Sequence, residues 1–299
     1  MNLTRATMQV DGETTLFGVF GHPIAHTFSP ALHEMLIRAH GGNMAYIAYH
    51  VLPEQLESAV RGAWAMGIRG LNLTIPHKES VIPLLCGIDS TAYKAGAVNT
   101  LKWTPDGYYG YNTDVYGMRK QLSDGGMRLS GQRVLLLGAG GAARGALTVC
   151  QLEGASEVMV YNRHPERAEM LISRFREAAE GEEIPRMRVI SHEELLHEEH
   201  PYVIQTTPAG MLHIPDTLPV TEEEFYWGIR YAADAVYHPI RTPFLQKVRA
   251  QGGIGLEGQS MLFYQGARSF EIWNDFTFTD EERERLRREF LAWAEGYFA

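Results

Sequence analysis

Arg133-Val134-Leu135-Leu136-Leu137-Gly138-Ala139-Gly140-Gly141-Ala142-Ala143 is a short aliphatic run that breaks into glycines and then into small helix formers. The aliphatic part reads as a buried strand, the glycines as a tight turn and the remainder as the start of a helix. Gly138-x-Gly140-x-x-Ala143 fits the dinucleotide fingerprint with alanine in its last slot. The first glycine makes the turn, the second lets the backbone approach a pyrophosphate, and a small third residue lets helix and strand pack. A helix that starts there adds N–H groups and the positive end of its dipole. Residues 157–161 supply a second strand at the spacing of a βαβ unit, and its tip separates the two nicotinamide cofactors. An Asp or Glu there would bind a ribose 2′-hydroxyl. The sequence instead reads Asn162-Arg163-His164-Pro165-Glu166-Arg167. Two arginines, with no acid at the tip, suit a 2′-phosphate and hence NADP. The plainer alternative is a solvated basic loop.

Beyond this unit, residues 202–205 and 231–236 read as further strands, and Thr242-Pro243 opens a helix that stops at Gly252. Thr279 and Glu282 form a capping box. Leu286, Phe290, Trp293 and Tyr297 then make an apolar stripe expected to pack on the body. Before Gly131, strand-like residues 15–20 lead to Ser29-Pro30, expected as an N-cap followed by proline at the first helical position. Leu32, Met35, Leu36 and Ala39 continue that helix to Gly41. Residues 45–51 form a strand, and a helix runs from Pro53 to near Gly67. Leu71, Leu73 and Ile75 alternate with Asn72 and Thr74, so a strand places the polar pair on one face. Residues 98–103 and 108–111 flank Thr104-Pro105-Asp106-Gly107 as a hairpin. Alternating β and α units predict an α/β fold with parallel-rich sheets, and a length of 299 residues suits two domains.

The bulk numbers exclude several classes. Lys plus Arg is 27 against 36 Asp plus Glu, a net charge of −9. That balance argues against a nucleic-acid binder and against a basic membrane-binding patch. No apolar run approaches the roughly 20 residues of a membrane span, and the first dozen residues carry no signal-like apolar region. Two cysteines, Cys86 and Cys150, exclude a disulfide framework and fit the reducing cytoplasm. No metal site is expected. His192 and His197 are five apart and do not share a helix face, and His22 and His26 have no third ligand nearby.

Three further segments look unlike core. Gly21-His22-Pro23-Ile24-Ala25-His26-Thr27-Phe28-Ser29-Pro30 is a polar loop, and Asn72-Leu73-Thr74-Ile75-Pro76-His77-Lys78 sets a lysine just past a strand end. Asn99-Thr100 and Asn112-Thr113-Asp114 add amides and a carboxylate. Together with Gly96-Ala97-Val98-Asn99-Thr100, Gly110-Tyr111-Asn112-Thr113-Asp114, the glycine turn with Asn162-Arg163, Thr207-Pro208-Ala209-Gly210-Met211 and Met261-Leu262-Phe263-Tyr264-Gln265-Gly266-Ala267, they resemble the shikimate dehydrogenase family. The resemblance covers nearly the whole chain, with its motifs in the family's order.

That resemblance implies a substrate domain of residues 1–113 with 257–299, a Rossmann-like NADP domain of residues 114–256, and C-terminal helices returning to the first domain. It implies Lys78 and Asp114 as the catalytic pair, with Thr27, Ser29, Thr74, Asn99, Tyr237 and Gln265 around the substrate. Gly138, Ala139, Gly140, Gly141, Ala142, Asn162, Arg163, Arg167, Thr207 and Met211 would hold NADP. The implied reaction is reversible oxidation of shikimate to 3-dehydroshikimate in aromatic amino acid biosynthesis, by a monomer or homodimer acting on a small molecule. Quinate/shikimate and aminoshikimate relatives, some using NAD, share the lysine and the aspartate and stay open. So does a non-catalytic NADP-binding sensor, although an intact Lys78 and Asp114 count against it. A helix start at Lys78 would favour the neutral amine and Asp114 the ammonium, so both proton carriers stay open. Four positions depart from the family pattern: Thr27 for serine, His164 for threonine, Gln205 for asparagine and Ser260 for glycine.

Overall fold

The computed structural model describes residues 10–211, 214 and 216–297. It contains two six-stranded sheets. The first holds β1 (Thr15–Gly21), β2 (Met44–His50), β3 (Gly70–Leu73), β4 (Gly87–Ile88), β5 (Thr100–Thr104) and β6 (Gly107–Tyr111), in the order β2-β1-β3-β5-β6-β4. β1 runs parallel to β2 and β3, while β5 and β6 form the expected antiparallel hairpin. The second holds β7 (Arg133–Leu137), β8 (Glu157–Tyr161), β9 (Arg186–Val189), β10 (Tyr202–Gln205), β11 (Tyr231–Asp234) and β12 (Ile254–Leu256), in the order β12-β11-β10-β7-β8-β9. Every pairing in it is parallel. The order reverses between β7 and β10, the doubly wound arrangement that leaves a crevice at the carboxyl ends of the strands.

The α-helices are α1 (Ser29–His40), α2 (Leu56–Ala65), α3 (His77–Ser80), α4 (Ser90–Ala95), α5 (Thr113–Asp124), α6 (Gly141–Leu152), α7 (Pro165–Ala178), α8 (His192–His197), α9 (Pro243–Ala250), α10 (Gly258–Asn274) and α11 (Asp280–Tyr297), and burial explains how they layer on the sheets. Val134 and Leu136 of β7 point into one core with Ala143, Ala146 and Leu147 of α6 (Gly141–Leu152), and Leu135 and Leu137 point into another with Phe244, Leu245 and Val248. A strand covered by helices on both faces reads as a continuous aliphatic run, as this one does. In the first sheet Phe17 and Val19 face Leu32 and Leu36 of α1 (Ser29–His40), and Phe20 and Leu71 face Leu56, Val60 and Ala63.

Three strands escape the sequence reading. β4 is two residues long, β9 alternates with exposed arginine, and β12 follows Gly252-Gly253, which reads as a turn. The expected Ser29 cap is also corrected. The first helical bond reaches back to the Phe28 carbonyl, so Ser29 lies inside the first turn of α1 and its hydroxyl makes no cap bond. Thr27 Oγ1 instead accepts from the Ser29 N–H at 3.2 Å.

The C-terminal helices α10 (Gly258–Asn274) and α11 (Asp280–Tyr297) pack on the first sheet. Gly70 is needed there because a Cβ would lie 2.4 Å from the Trp273 indole. Leu286 and Phe290 of the apolar stripe are buried, whereas Tyr297 at its end is 65% exposed. α5 (Thr113–Asp124) packs against both α10 and α6. Its Gln121 amide donates to the carbonyls of Asp234, Leu256 and Glu257, tying the helix to the second sheet and to the strand leading into α10.

α11 is pinned by a buried ion pair. The Glu271 side chain is 1% exposed and accepts from Arg283 Nη2 at 2.8 Å and from the Phe278 N–H at 3.2 Å. Removing Glu271 leaves the largely buried Arg283 guanidinium with only the exposed Asp280 carboxylate and the Phe278 carbonyl as partners. Glu271→Ala should therefore lose about 3–5 kcal/mol of unfolding free energy, read by urea denaturation. A loss below about 1 kcal/mol would place the anchoring of α11 in its apolar face instead.

Candidate active site

Asn99, at the foot of β5, occupies the centre of a polar cluster where the first sheet meets α5 and α10. Its Nδ2 donates to Asp114 Oδ1 at 2.9 Å and Thr113 Oγ1 at 3.0 Å, and lies 3.4 Å from Gln265 Oε1. Its Oδ1 accepts from the Thr113 N–H at 2.8 Å. Asp114 thereby presents Oδ2 to Lys78 Nζ at 2.7 Å. The pair is partly accessible, with side chains 24% and 15% exposed. Lys78 lies in the single turn α3 (His77–Ser80), which is pinned by the Val98 N–H donating to the Lys78 carbonyl at 2.8 Å.

The cluster continues toward the first loop as far as Tyr46. The hydroxyls of Thr100, Thr113 and Ser269 meet at 2.8–3.1 Å. Asn72 Nδ2 donates to Ser269 Oγ at 2.9 Å and Thr100 Oγ1 at 3.1 Å, and Asn72 Oδ1 accepts from the Tyr46 hydroxyl at 2.8 Å. Burial holds the Tyr46 phenol well above its ordinary range, opposed by the Ser29 hydroxyl beside it. Ser29 in turn accepts from Thr27 Oγ1 at 3.1 Å. Hydrogen bonds thus join Tyr46 and Asn72 to Asn99, Gln265, Asp114 and Lys78, and Thr27 and Ser29 form their own hydroxyl pair in the first loop. Thr74 abuts Gly21, where a Cβ would meet Thr74 Cγ2 at 2.4 Å. Tyr237 stands edge-on to Phe28 at 5.5 Å.

Sequence reasoning missed Ser269 and Tyr46. Ser269 lies four residues after Gln265 on α10, hence on the same helix face, and that spacing was a usable signal. Tyr46 sits in an unbroken run of apolar and aromatic residues, 44–49, and offered none.

The glycine turn has the geometry its sequence suggests. Gly138 has φ 106°, and a Cβ there would come 2.7 Å from Thr206 Oγ1. Around Gly140 and Gly141 a Cβ would meet nothing within 4 Å, so the backbone entering α6 is open to a ligand that needs close approach. Ala143 is fully buried against the strand. At the tip of β8, Asn162 Nδ2 donates to the His164 carbonyl at 2.9 Å, and Arg163 and Arg167 are exposed. The Thr207 N–H donates to Gln205 Oε1, and the Met211 N–H donates to the Pro208 carbonyl at 3.1 Å. The residues present fit a dinucleotide with a phosphorylated ribose. Among the described residues no group of three or more His, Cys, Asp or Glu side chains is arranged to hold a metal ion. His192 instead bonds Tyr161 and Glu222.

Residues 19–101 match the family described as the shikimate dehydrogenase substrate binding domain, and residues 120–199 match shikimate / quinate 5-dehydrogenase. The shikimate dehydrogenase (NADP(+)) of Methanopyrus kandleri is 38% identical over 278 residues, covering 89% of this chain and 92% of its own. The chain belongs to the shikimate dehydrogenase family. It is similar in structure to the chorismate mutase/shikimate 5-dehydrogenase fusion protein of Clostridium acetobutylicum, with a TM-score of 0.86, 31% identity and coverage of 94% and 99%. Shikimate 5-dehydrogenase of Thermus thermophilus, solved with NADP(H) and shikimate, gives 0.80, 31% identity and coverage of 92% and 99%.

Within this shikimate dehydrogenase fold, the departure at Gln205 meets a buried acid. Asp234, fully buried at the end of β11, accepts from Thr242 Oγ1 at 2.7 Å and from the Val236 N–H at 2.9 Å. The longer Gln205 side chain reaches it at 3.5 Å and also bonds the carbonyls of Thr207 and Ala209. Burial disfavours the carboxylate and pushes its pKa up to about 7. The folded state therefore binds this proton more tightly than the unfolded chain. Its contribution is most favourable below the unfolded value near 3.8 and is lost as pH rises toward about 7. Asp234→Asn cannot ionise. Denaturant titrations should show the variant gaining on wild type between about pH 4 and pH 7, and parallel curves would refute the raised pKa.

Proposed function

We propose that this chain catalyses the reversible NADP-dependent oxidation of shikimate to 3-dehydroshikimate. The observation that carries the reading is the Lys78–Asp114 pair at 2.7 Å, fixed by the Asn99 amide, with the Thr27 and Ser29 hydroxyls paired in the first loop. In that reading Thr27 and Ser29 hold the substrate carboxylate with neutral donors that allow release. Gln265, Asn99, Thr74 and Tyr237 orient the ring and its hydroxyls. Lys78 Nζ donates to the ring oxygen as it gains negative charge during reduction and receives its proton during oxidation. Asp114 fixes the position of Lys78 and balances its charge.

NADP supplies or accepts the hydride when bound. The backbone of Gly138, Ala139, Gly140, Gly141 and Ala142 suits its pyrophosphate, and Asn162, Arg163 and Arg167 suit the 2′-phosphate. Thr207 and Met211 complete the cofactor side. We assign residues 1–113 with 257–299 to the substrate domain and 114–256 to the NADP domain. We place the enzyme in the cytoplasm, as a monomer or homodimer serving aromatic amino acid biosynthesis. One buried and one exposed free cysteine agree with a reducing compartment.

The test is turnover of shikimate and quinate, each with NADP and NAD. Shikimate with NADP should give the highest kcat/KM, and a preference for quinate with NAD would overturn the assignment. Lys78→Ala should lower kcat by about 10²–10⁴ while the shikimate KM moves only a few fold; a kcat near wild type would remove the role given to Lys78. Arg163→Ala should raise the NADP KM by about tenfold or more and leave that for NAD nearly unchanged, whereas equal shifts would remove the 2′-phosphate contact.

A further inference from the structure

Arg144 follows the glycine turn by one helical step, yet its side chain points away from that turn and across to the first domain. It is only 17% exposed although it carries a full charge. Nη2 pairs with Glu79 Oε2 at 3.0 Å, and Nη1 donates to the Gly96 carbonyl at 3.3 Å. Gly96 is left-handed with φ 56°, and a Cβ there would come 2.9 Å from Arg144 Nη1. The missing side chain makes room for the guanidinium. Arg174 of α7 (Pro165–Ala178) approaches the same Glu79 oxygen at 4.0 Å.

The two acceptors are not arbitrary surface groups. Glu79 is covalently next to Lys78 on the single turn of α3, and Gly96 lies three residues before Asn99. The two segments are joined to each other by the Val98 N–H on the Lys78 carbonyl. One guanidinium rooted beside the dinucleotide turn therefore grips both backbone segments that set the lysine and the amide. The planar fork of arginine can hold two acceptors in fixed directions, which lysine cannot.

We propose that Arg144, through Glu79 and Gly96, is a positioning residue that sets the register between the glycine turn and Lys78. This rests on the function assigned above, in which the cofactor side and Lys78 must meet at one ring carbon. The pair is half-exposed at Glu79, so it adds little to global stability. Its effect falls on geometry, where small misplacements of reacting groups are expensive.

The experiment uses the full-length enzyme with Arg144→Ala and Glu79→Gln. Five quantities are read: kcat, its deuterium isotope effect, the NADP Kd by direct titration without substrate, Tm, and amide exchange at Val98. For Arg144→Ala, kcat should fall about tenfold while the NADP Kd and Tm stay near wild type. Exchange at the Val98 amide should rise about tenfold as α3 loosens. Glu79→Gln, which keeps the shape and removes the charge, should move kcat and exchange in the same direction by a smaller factor. It also serves if Arg144→Ala does not fold. Shikimate deuterated at the oxidised carbon should show a larger isotope effect on kcat in both variants. A kcat within twofold of wild type in both variants would overturn the proposal. A Kd that weakens in step with kcat would also overturn it, making Arg144 a cofactor ligand. Absence of shikimate turnover in the wild type would instead refute the assigned function.

Discussion

A single carboxamide, that of Asn99, organises the reactive end of the molecule. Its nitrogen holds Asp114 and Thr113, its oxygen receives the Thr113 N–H, and Asp114 is left with one free oxygen aimed at Lys78. Asn99 is 2% exposed, so each unmade bond would be costly. That constraint reaches outward. It fixes where α5 begins, because Thr113 and Asp114 are its first residues, and it fixes the face that α10 must turn toward α5 to supply Gln265 and Ser269. The tight approach of the two helices follows: a Cβ on Gly117 would meet the Met261 carbonyl at 2.6 Å.

The second domain is built on an opposite logic. Its central strand β7 is aliphatic, and its buried polar cluster of Gln205, Asp234 and Thr242 is bonded within itself and to the adjoining backbone. The turn's use comes from backbone that nothing covers at Gly140 and Gly141, and from exposed arginines at the tip of β8. In the proposed reaction, one half would therefore orient a small polar molecule with prearranged side chains, while the other would offer amides and charge to a larger anion. α5 contacts both halves, and the Gln121 amide bridges to the second sheet and the start of α10.

Local physics made most of this legible. Leu135, Leu136 and Leu137 followed by Gly138 announce a strand and a turn with no tertiary information, and the capping box at Thr279 announces α11 in the same way. β9 and β12 were hidden because arginines and glycines dominate their side-chain pattern, and only neighbouring strands recruit their backbone. In the site, Lys78 and Asp114 could be named from motifs. Their meeting depends on contacts between residues far apart in sequence. Ser29 shows the reverse error, where a correct local preference for capping yielded to a hydroxyl partner at Thr27. The bridging of Glu79 by Arg144 had no local signal at all, since an arginine in a first helical turn reads as solvated.

The return of α10 to the first sheet has a consequence for biosynthesis on the ribosome. Asn72, Thr100 and Thr113 emerge early, and the hydroxyl that completes their bonding, that of Ser269, is added only when nearly the whole chain has been made. The strands of the second sheet all precede α10 and can close in order while the first sheet waits. A nascent chain thus carries a complete second sheet, short of the Met261 side chain that α10 adds to its core, beside a half-satisfied polar interior around Asn72, Thr100 and Thr113.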